Sequence, residues 1–143
     1  MPQPEKFICI SYSNVDFLIP NEDVQSALSL KDFDVESMCG VFTGIYNFDE
    51  IAEKFKEIKV EKNIRTMVML RKDGVSQVSF VTASECKVCI LDLSKFSTFS
   101  DYYTDRLLHF GILACYFEND RLQYLIDAKK LIEYVTDSDV EEI

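Results

Sequence analysis

The chain has 143 residues, 48% hydrophobic and 13% aromatic, with 15 basic against 25 acidic side chains and a formal charge of −10. That length suits one domain or two small lobes sharing a core, and such a supply of Phe and Tyr excludes a disordered chain. The acidic balance repels phosphate, which argues against nucleic acid or an anionic membrane surface as partner.

Five cysteines, Cys9, Cys39, Cys86, Cys89 and Cys115, cannot all pair within one chain. No apolar signal segment precedes them, so they are read as buried free thiols of a reducing, cytoplasmic setting. The longest charge-free stretches, such as Ser37–Phe48, fall short of the roughly 20 apolar residues of a spanning helix, and no membrane insertion is expected.

In chain order, Lys6–Ser13 and Val15–Ile19 read as two strands around a Ser13-Asn14 turn, rich in Ile, Val, Phe and Tyr. Pro20 ends the second, because it cannot continue a ladder in a sheet interior. Asn21 is placed to cap a short helix with Val24, Ala27 and Leu28 on its apolar side. Cys39–Tyr46 is an extended candidate holding two glycines. Asn47 then caps a helix whose stripe is Phe48, Ile51, Ala52, Phe55 and Ile58, with Glu50 completing a capping-box spacing.

Ile64–Arg71 and Val75–Thr82 flank Asp73-Gly74, a dipeptide suited to a tight hairpin, and Cys86–Leu93 continues as a further strand. Ser94–Arg106 is a polar-aromatic interruption. Phe110–Phe117 and Arg121–Ile126 form a second hairpin around Glu118-Asn119-Asp120. A helix over Ala128–Val135 closes the fold, and Thr136–Ile143, with four acids and no base, reads as a solubilising tail. The sum is a mainly β chain of about seven strands and three short helices, with curled sheets the expected way to remove edges. Residues 1–136 read as one domain of two lobes with a seam near 56–63, followed by an acidic tail at 137–143.

The catalytic inventory is thin. His109, the one histidine, stands between apolar neighbours at a strand start; a Cys–His pair is conceivable there, a structural role the plainer reading. Cys86-Lys87-Val88-Cys89 has the C-x-x-C spacing of redox and zinc sites. On a strand, however, an offset of three sends the two sulfurs to opposite faces. No Gly-Lys-Ser/Thr phosphate loop follows any glycine. No catalytic residue, metal ligand or cofactor is assigned. The aromatics Phe96, Phe99, Tyr102 and Tyr103 read either as a loop folded onto the core or as a partner-docking patch.

The order of segments resembles the CheW-like coupling domains of bacterial chemotaxis, over roughly Lys6 to Val135. Phe7–Leu28 resembles the family's opening hairpin, an aromatic-Ile/Leu-Pro run leading into a short helix. Gly40-Val41-Phe42 resembles the start of its Gly-Val-Ile-Asn-Leu-Arg-Gly stretch, with Gly44 in the place of the closing glycine. Ile64–Ile90 is similar to its central strands. Phe110–Ile132 looks like its ending, with Asp127 and Leu131 matching the Leu/Ile-Asp-x-x-x-Leu that opens the last helix.

The resemblance implies two small five-stranded SH3-like barrels packed together, with a C-terminal helix. It further implies a non-enzyme, an adaptor or scaffold between the cytoplasmic region of chemoreceptors and the regulatory domain of a histidine kinase. The partner-binding residues it implies are Gly40, Val41, Phe42, Thr43, Gly44 and Tyr46. The chain departs from the family here: Asn-Leu-Arg is missing, and Ile45-Tyr46-Asn47-Phe48-Asp49 stands where Pro-Val-x-Asp is usual. A divergent member with altered receptor binding is therefore expected. Two alternatives stay open: a thiol-based redox enzyme or sensor using Cys86 and Cys89, and a regulatory β-domain that has lost the chemotaxis role.

Overall fold

A computed structural model describes residues 5–32, 34–40, 44–54, 63–70, 78–92, 94, 96–98, 110–118 and 120–141. The chain is mainly β, with few helices and one of them C-terminal, as the sequence predicts. Its contacts divide it into two units: residues 1–23 with 87–143, and residues 24–86. The division thus falls at 23/24 and 86/87. The seam expected near 56–63 lies inside the span of the second unit and, apart from Asn63, outside the described residues.

The first unit is built on β1 (Glu5–Ser11) and β2 (Val15–Pro20), an antiparallel hairpin in which Ile10 faces Phe17 and Cys9 faces Leu18. The Tyr12 N–H donates to the Val15 carbonyl at 2.8 Å across the Ser13-Asn14 turn. Consecutive residues Phe7–Ile10 and Val15–Ile19 are buried. Both faces of these strands are therefore covered, which is why they read as continuous apolar runs rather than alternating ones. β9 (Ile112–Glu118) and β10 (Arg121–Ile126) form the second hairpin, with a register shift between Leu125 and Ile126. β10 joins the first hairpin by parallel pairing with β2, Leu122 opposite Val15 and Leu125 opposite Leu18. With β7 (Cys86–Leu91) and β8 (Ser97–Thr98), the sheet order is β7-β1-β2-β10-β9-β8.

The closing helix, α3 (Ala128–Glu141), buries Ala128, Leu131, Ile132 and Val135. Asp127 caps it, its Oδ1 accepting from the N–H groups of Lys129 at 3.0 Å and Lys130 at 3.3 Å. The helix meets Gly111, whose φ of +89° places it in the left-handed region. A Cβ built there would stand 2.9 Å from both the Asp127 carbonyl oxygen and the Leu131 nitrogen, so only glycine allows this approach. Beside it the Phe110 and Tyr134 rings stack with centroids 4.1 Å apart. The tail expectation needs correction: α3 runs to Glu141 rather than stopping at Val135, since Thr136–Glu141 contains no glycine or proline to break it.

The second unit holds β3 (Val24–Ser29), β4 (Ile45–Asn47), β5 (Thr66–Leu70) and β6 (Val78–Thr82) in the order β3-β5-β6-β4. β3/β5 and β5/β6 are antiparallel, β4/β6 parallel. The turn expected at Asp73-Gly74 lies outside the described residues, though Leu70 faces Val78 across the pair it would join. The helix expected after Asn21 is instead a single 3₁₀ turn, Asn21–Asp23, followed by strand β3. Ladder bonds to β5, with Ala27 opposite Val68 and Leu28 opposite Met67, override the helical spacing of Val24, Ala27 and Leu28.

A short α1 (Val35–Met38) carries no sequence signal of its own. α2 (Phe48–Ala52) is shorter than its sequence stripe, ending at Glu53, and Phe55 and Ile58 lie outside the described residues. The core of this unit includes Phe48, Ala52, Ile64, Val68, Leu70, Val78, Phe80 and Val81, with the Phe48 and Phe80 rings edge to face at 5.9 Å. The described strands thus divide six and four between the two sheets, where the resemblance implied five and five.

Candidate interaction site

Of the residues singled out for partner binding, Gly40, Gly44 and Tyr46 are described, while Val41, Phe42 and Thr43 lie outside the described residues. The chain turns back on itself between Gly40 and Ile45. These two form an antiparallel bridge in which the Gly40 N–H donates to the Ile45 carbonyl at 2.9 Å, and the Gly44 N–H donates to the Gly40 carbonyl at 3.1 Å. Gly44 has φ +68°, a left-handed conformation that a side chain would oppose.

The Gly44 carbonyl then accepts from the Ser79 N–H at 2.8 Å, which fixes the turn to β6. β4 follows as the terminal strand of its sheet order, and the half-buried Tyr46 lays its ring 6.1 Å from that of Phe80. Met38, 45% exposed, ends α1 two residues before the turn. Among the described residues the stretch carries an aromatic ring at Tyr46 and an exposed thioether at Met38.

Two carboxyl-centred hydrogen-bond sets hold the two units. In the second unit, the Asn47 side chain accepts from the Asp49 N–H at 2.9 Å, the N-cap predicted from sequence. Asp49 is 1% exposed. Its Oδ1 accepts from the Thr82 hydroxyl at 2.6 Å and its Oδ2 from the Ala83 N–H at 2.9 Å, which pins the first turn of α2 to the end of β6. Asp49 thus stands in the segment that departs from the family pattern, yet it is an anchor inside the unit.

In the first unit a second buried carboxylate, Asp16, receives Arg121 in a bidentate pair: Nη2 to Oδ1 at 2.5 Å and Nε to Oδ2 at 3.2 Å. The same guanidinium donates to the carbonyls of Tyr12 at 2.8 Å and Ser13 at 3.0 Å, and Gln123 donates to Asp16 Oδ2 at 3.3 Å. Burial works against the Asp16 charge, but the hydrogen bonds from Arg121, Ser11 and Gln123 outweigh it and hold the carboxyl below its ordinary value. The clamp joins the β1–β2 turn to the start of β10, and no sequence spacing signals it because its members lie more than a hundred residues apart.

The other candidates separate. Cys86 and Cys89 both stand on strand β7, and Cys89 packs instead against the Phe7, Cys9 and Leu18 cluster. All five cysteines are free, but only Cys9 is buried and the rest are half-buried, which corrects the expectation of five buried thiols. Among the described residues no group of three or more His, Cys, Asp or Glu side chains could hold a metal ion, and no helix is long and apolar enough to cross a membrane. His109, Phe99, Tyr102 and Tyr103 lie outside the described residues. Phe96 packs on the Phe7–Cys9–Leu18 cluster, with its ring 5.7 Å from that of Tyr116, as the folded-down reading of its segment predicts.

The fold and the turn define a mainly β protein of two sheets with a helix at its C-terminal end. The chain is similar in fold to the crystal structure of the scaffolding protein TtCheW from Thermoanaerobacter tengcongensis, with a TM-score of 0.55, at 10% identity, covering 87% of this chain and 89% of that one. No protein-family model matches the sequence, and no curated protein matches it by sequence.

Proposed function

We propose that the protein is a non-catalytic cytoplasmic adaptor of bacterial chemotaxis signalling, one that couples the cytoplasmic region of chemoreceptors to the regulatory domain of a histidine kinase. The observation that supports this reading is the fold shared with a scaffolding protein over 87% of this chain and 89% of the other. The residues Gly40, Val41, Phe42, Thr43 and Gly44, with Tyr46 beyond them, are the receptor-facing element. Lacking the family's arginine, it contacts its partner through backbone and ring rather than through a guanidinium, so receptor binding is altered in kind. The charge of −10 favours partner patches that are basic.

Isothermal titration of the protein with each purified fragment, receptor tip and kinase regulatory domain, tests the proposal. Binding of micromolar affinity to the kinase fragment is expected, together with receptor binding that Tyr46→Ala weakens about tenfold, the loss of one aromatic contact. Absence of binding to both fragments overturns the adaptor reading; receptor binding indifferent to Tyr46→Ala overturns the assignment of the turn.

A further inference from the structure

The topology brings together two sulfurs other than the C-x-x-C pair. β7 lies beside β1 in the sheet, and Cys89 packs, with Leu91, Phe96 and Leu125, against the cluster of Phe7, Cys9 and Leu18. Cys9 and Cys89 are both free thiols. We propose that Cys9 and Cys89 form a redox modification site, a cross-strand dithiol that hydrogen peroxide closes to a disulfide and a thiol reductant reopens. The site goes beyond the adaptor reading and does not depend on it.

Neighbouring strands lie about 4.7–4.9 Å apart, inside the span of about 4.4–6.8 Å that a disulfide needs between its Cα atoms. Sulfurs packed into one cluster from such strands need little backbone movement to bond. The neighbouring Cys89 outweighs burial and, with Ser11 Oγ 3.3 Å away, holds the Cys9 thiol below its ordinary value. Cys89, which is half-buried, is pushed up, first by the neighbouring Cys9 and then by burial. By contrast Cys39 is pushed up to about 11 and Cys115 is also raised, in both cases chiefly by burial. Cys9 is 4% exposed, so peroxide, a molecule little larger than water, enters beside the more open Cys89.

The chemistry balances with peroxide as the only co-reactant. The Cys9 thiolate attacks one peroxide oxygen, the O–O bond breaks, and the departing hydroxide takes up the thiol proton as water. Cys89 sulfur then attacks the sulfenic sulfur, the S–O bond breaks, and the Cys89 proton leaves with the second water. Two thiols are oxidised by two electrons and one peroxide is reduced to two waters. A disulfide of this kind in a reducing compartment is transient, which is the use such bonds have there.

The test takes the full-length reduced protein, treats it natively with hydrogen peroxide, alkylates it, digests it without reductant and maps it by mass spectrometry. The expected product is a cross-link between the peptides carrying Cys9 and Cys89, formed before any other and erased by dithiothreitol. Cys89→Ser is expected to abolish it and to leave a Cys9 sulfenic acid that dimedone traps. A first cross-link joining Cys89 to Cys86 or to another cysteine overturns the proposal. So does recovery of Cys9 and Cys89 as alkylated thiols once the peroxide-treated protein is unfolded. The wild-type map is decisive by itself, even if a variant fails to fold.

Discussion

Substituting Gly111 by alanine tests the docking of α3 most sharply. The backbone there has φ +89°, and for an L-residue a left-handed conformation costs about 1–2 kcal/mol. The added methyl also meets the Asp127 carbonyl oxygen and the Leu131 nitrogen at 2.9 Å, and both are backbone atoms that no rotamer change can withdraw. Overpacking of this kind costs about 1–3 kcal/mol. Against these stands a gain of about 0.4–1 kcal/mol from the stiffer unfolded chain.

The net loss for Gly111→Ala is about 1–5 kcal/mol, a large part of the roughly 5–15 kcal/mol typical of a domain. Urea unfolding followed by far-ultraviolet circular dichroism measures it. The damage is local in origin, because the Asp127 N–H donates to the Gly111 carbonyl at 2.7 Å and the Leu131 N–H to the Asp127 carbonyl at 3.0 Å. Amide exchange at Asp127 and Leu131 should therefore accelerate well before that of β2. A loss below about 1 kcal/mol, the size of an ordinary substitution, would refute the close approach of helix and strand.

Arg121→Ala leaves Asp16, whose side chain is 8% exposed, without its counter-ion, and is expected to cost about 2–3 kcal/mol by chemical denaturation. Because the folded Asp16 value lies below the ordinary 3.8 of an aspartate, the clamp stabilises fully above that pH and fades as pH falls through the lower folded value. Wild type and Arg121→Ala should therefore differ in stability at neutral pH and converge in strong acid, as thermal melts across pH would show. Asp49→Ala removes the acceptor of the Thr82 hydroxyl and the Ala83 N–H and should cost about 2–3 kcal/mol, measured by urea titration. Asn47→Ala loses only the cap of α2, about 1 kcal/mol by the same assay.

Much of the first unit is legible in sequence because its strands carry their own signal. Val15–Pro20 and Arg121–Ile126 are dense in branched and aromatic residues, and both are strands in the fold. Asn47 and Asp127 are readable as helix starts because capping acts within a few residues. What escapes is non-local. Val24–Ser29 buries only Val24 among its apolar residues, so its strand character comes from β5, some forty residues on, and not from alternation along its own length. The parallel pairing of β2 with β10 and the clamp of Asp16 by Arg121 likewise have no local signature.

The same limit governs the candidate site. The glycines of the Gly40–Gly44 turn are visible from their spacing, whereas the bond that seats the turn comes from Ser79. The C-x-x-C spacing points to Cys86 and Cys89, and both stand on β7. Yet the partner that packs with Cys89 is Cys9, eighty residues earlier on a neighbouring strand. The exposure of Val88, Ile90 and Phe117 has no sequence signal, because apolar strand residues read as core until a sheet assigns their faces.

The adaptor account is tested most directly by reconstitution: receptor in lipid nanodiscs, the histidine kinase, and this protein, with kinase autophosphorylation followed at fixed receptor and kinase concentrations. Adding the protein should raise the receptor-dependent rate until a ternary complex saturates, and should bring the kinase down with receptor particles on sedimentation. A kinase rate that stays flat, with the kinase left in the supernatant at every concentration of the protein, would contradict the account.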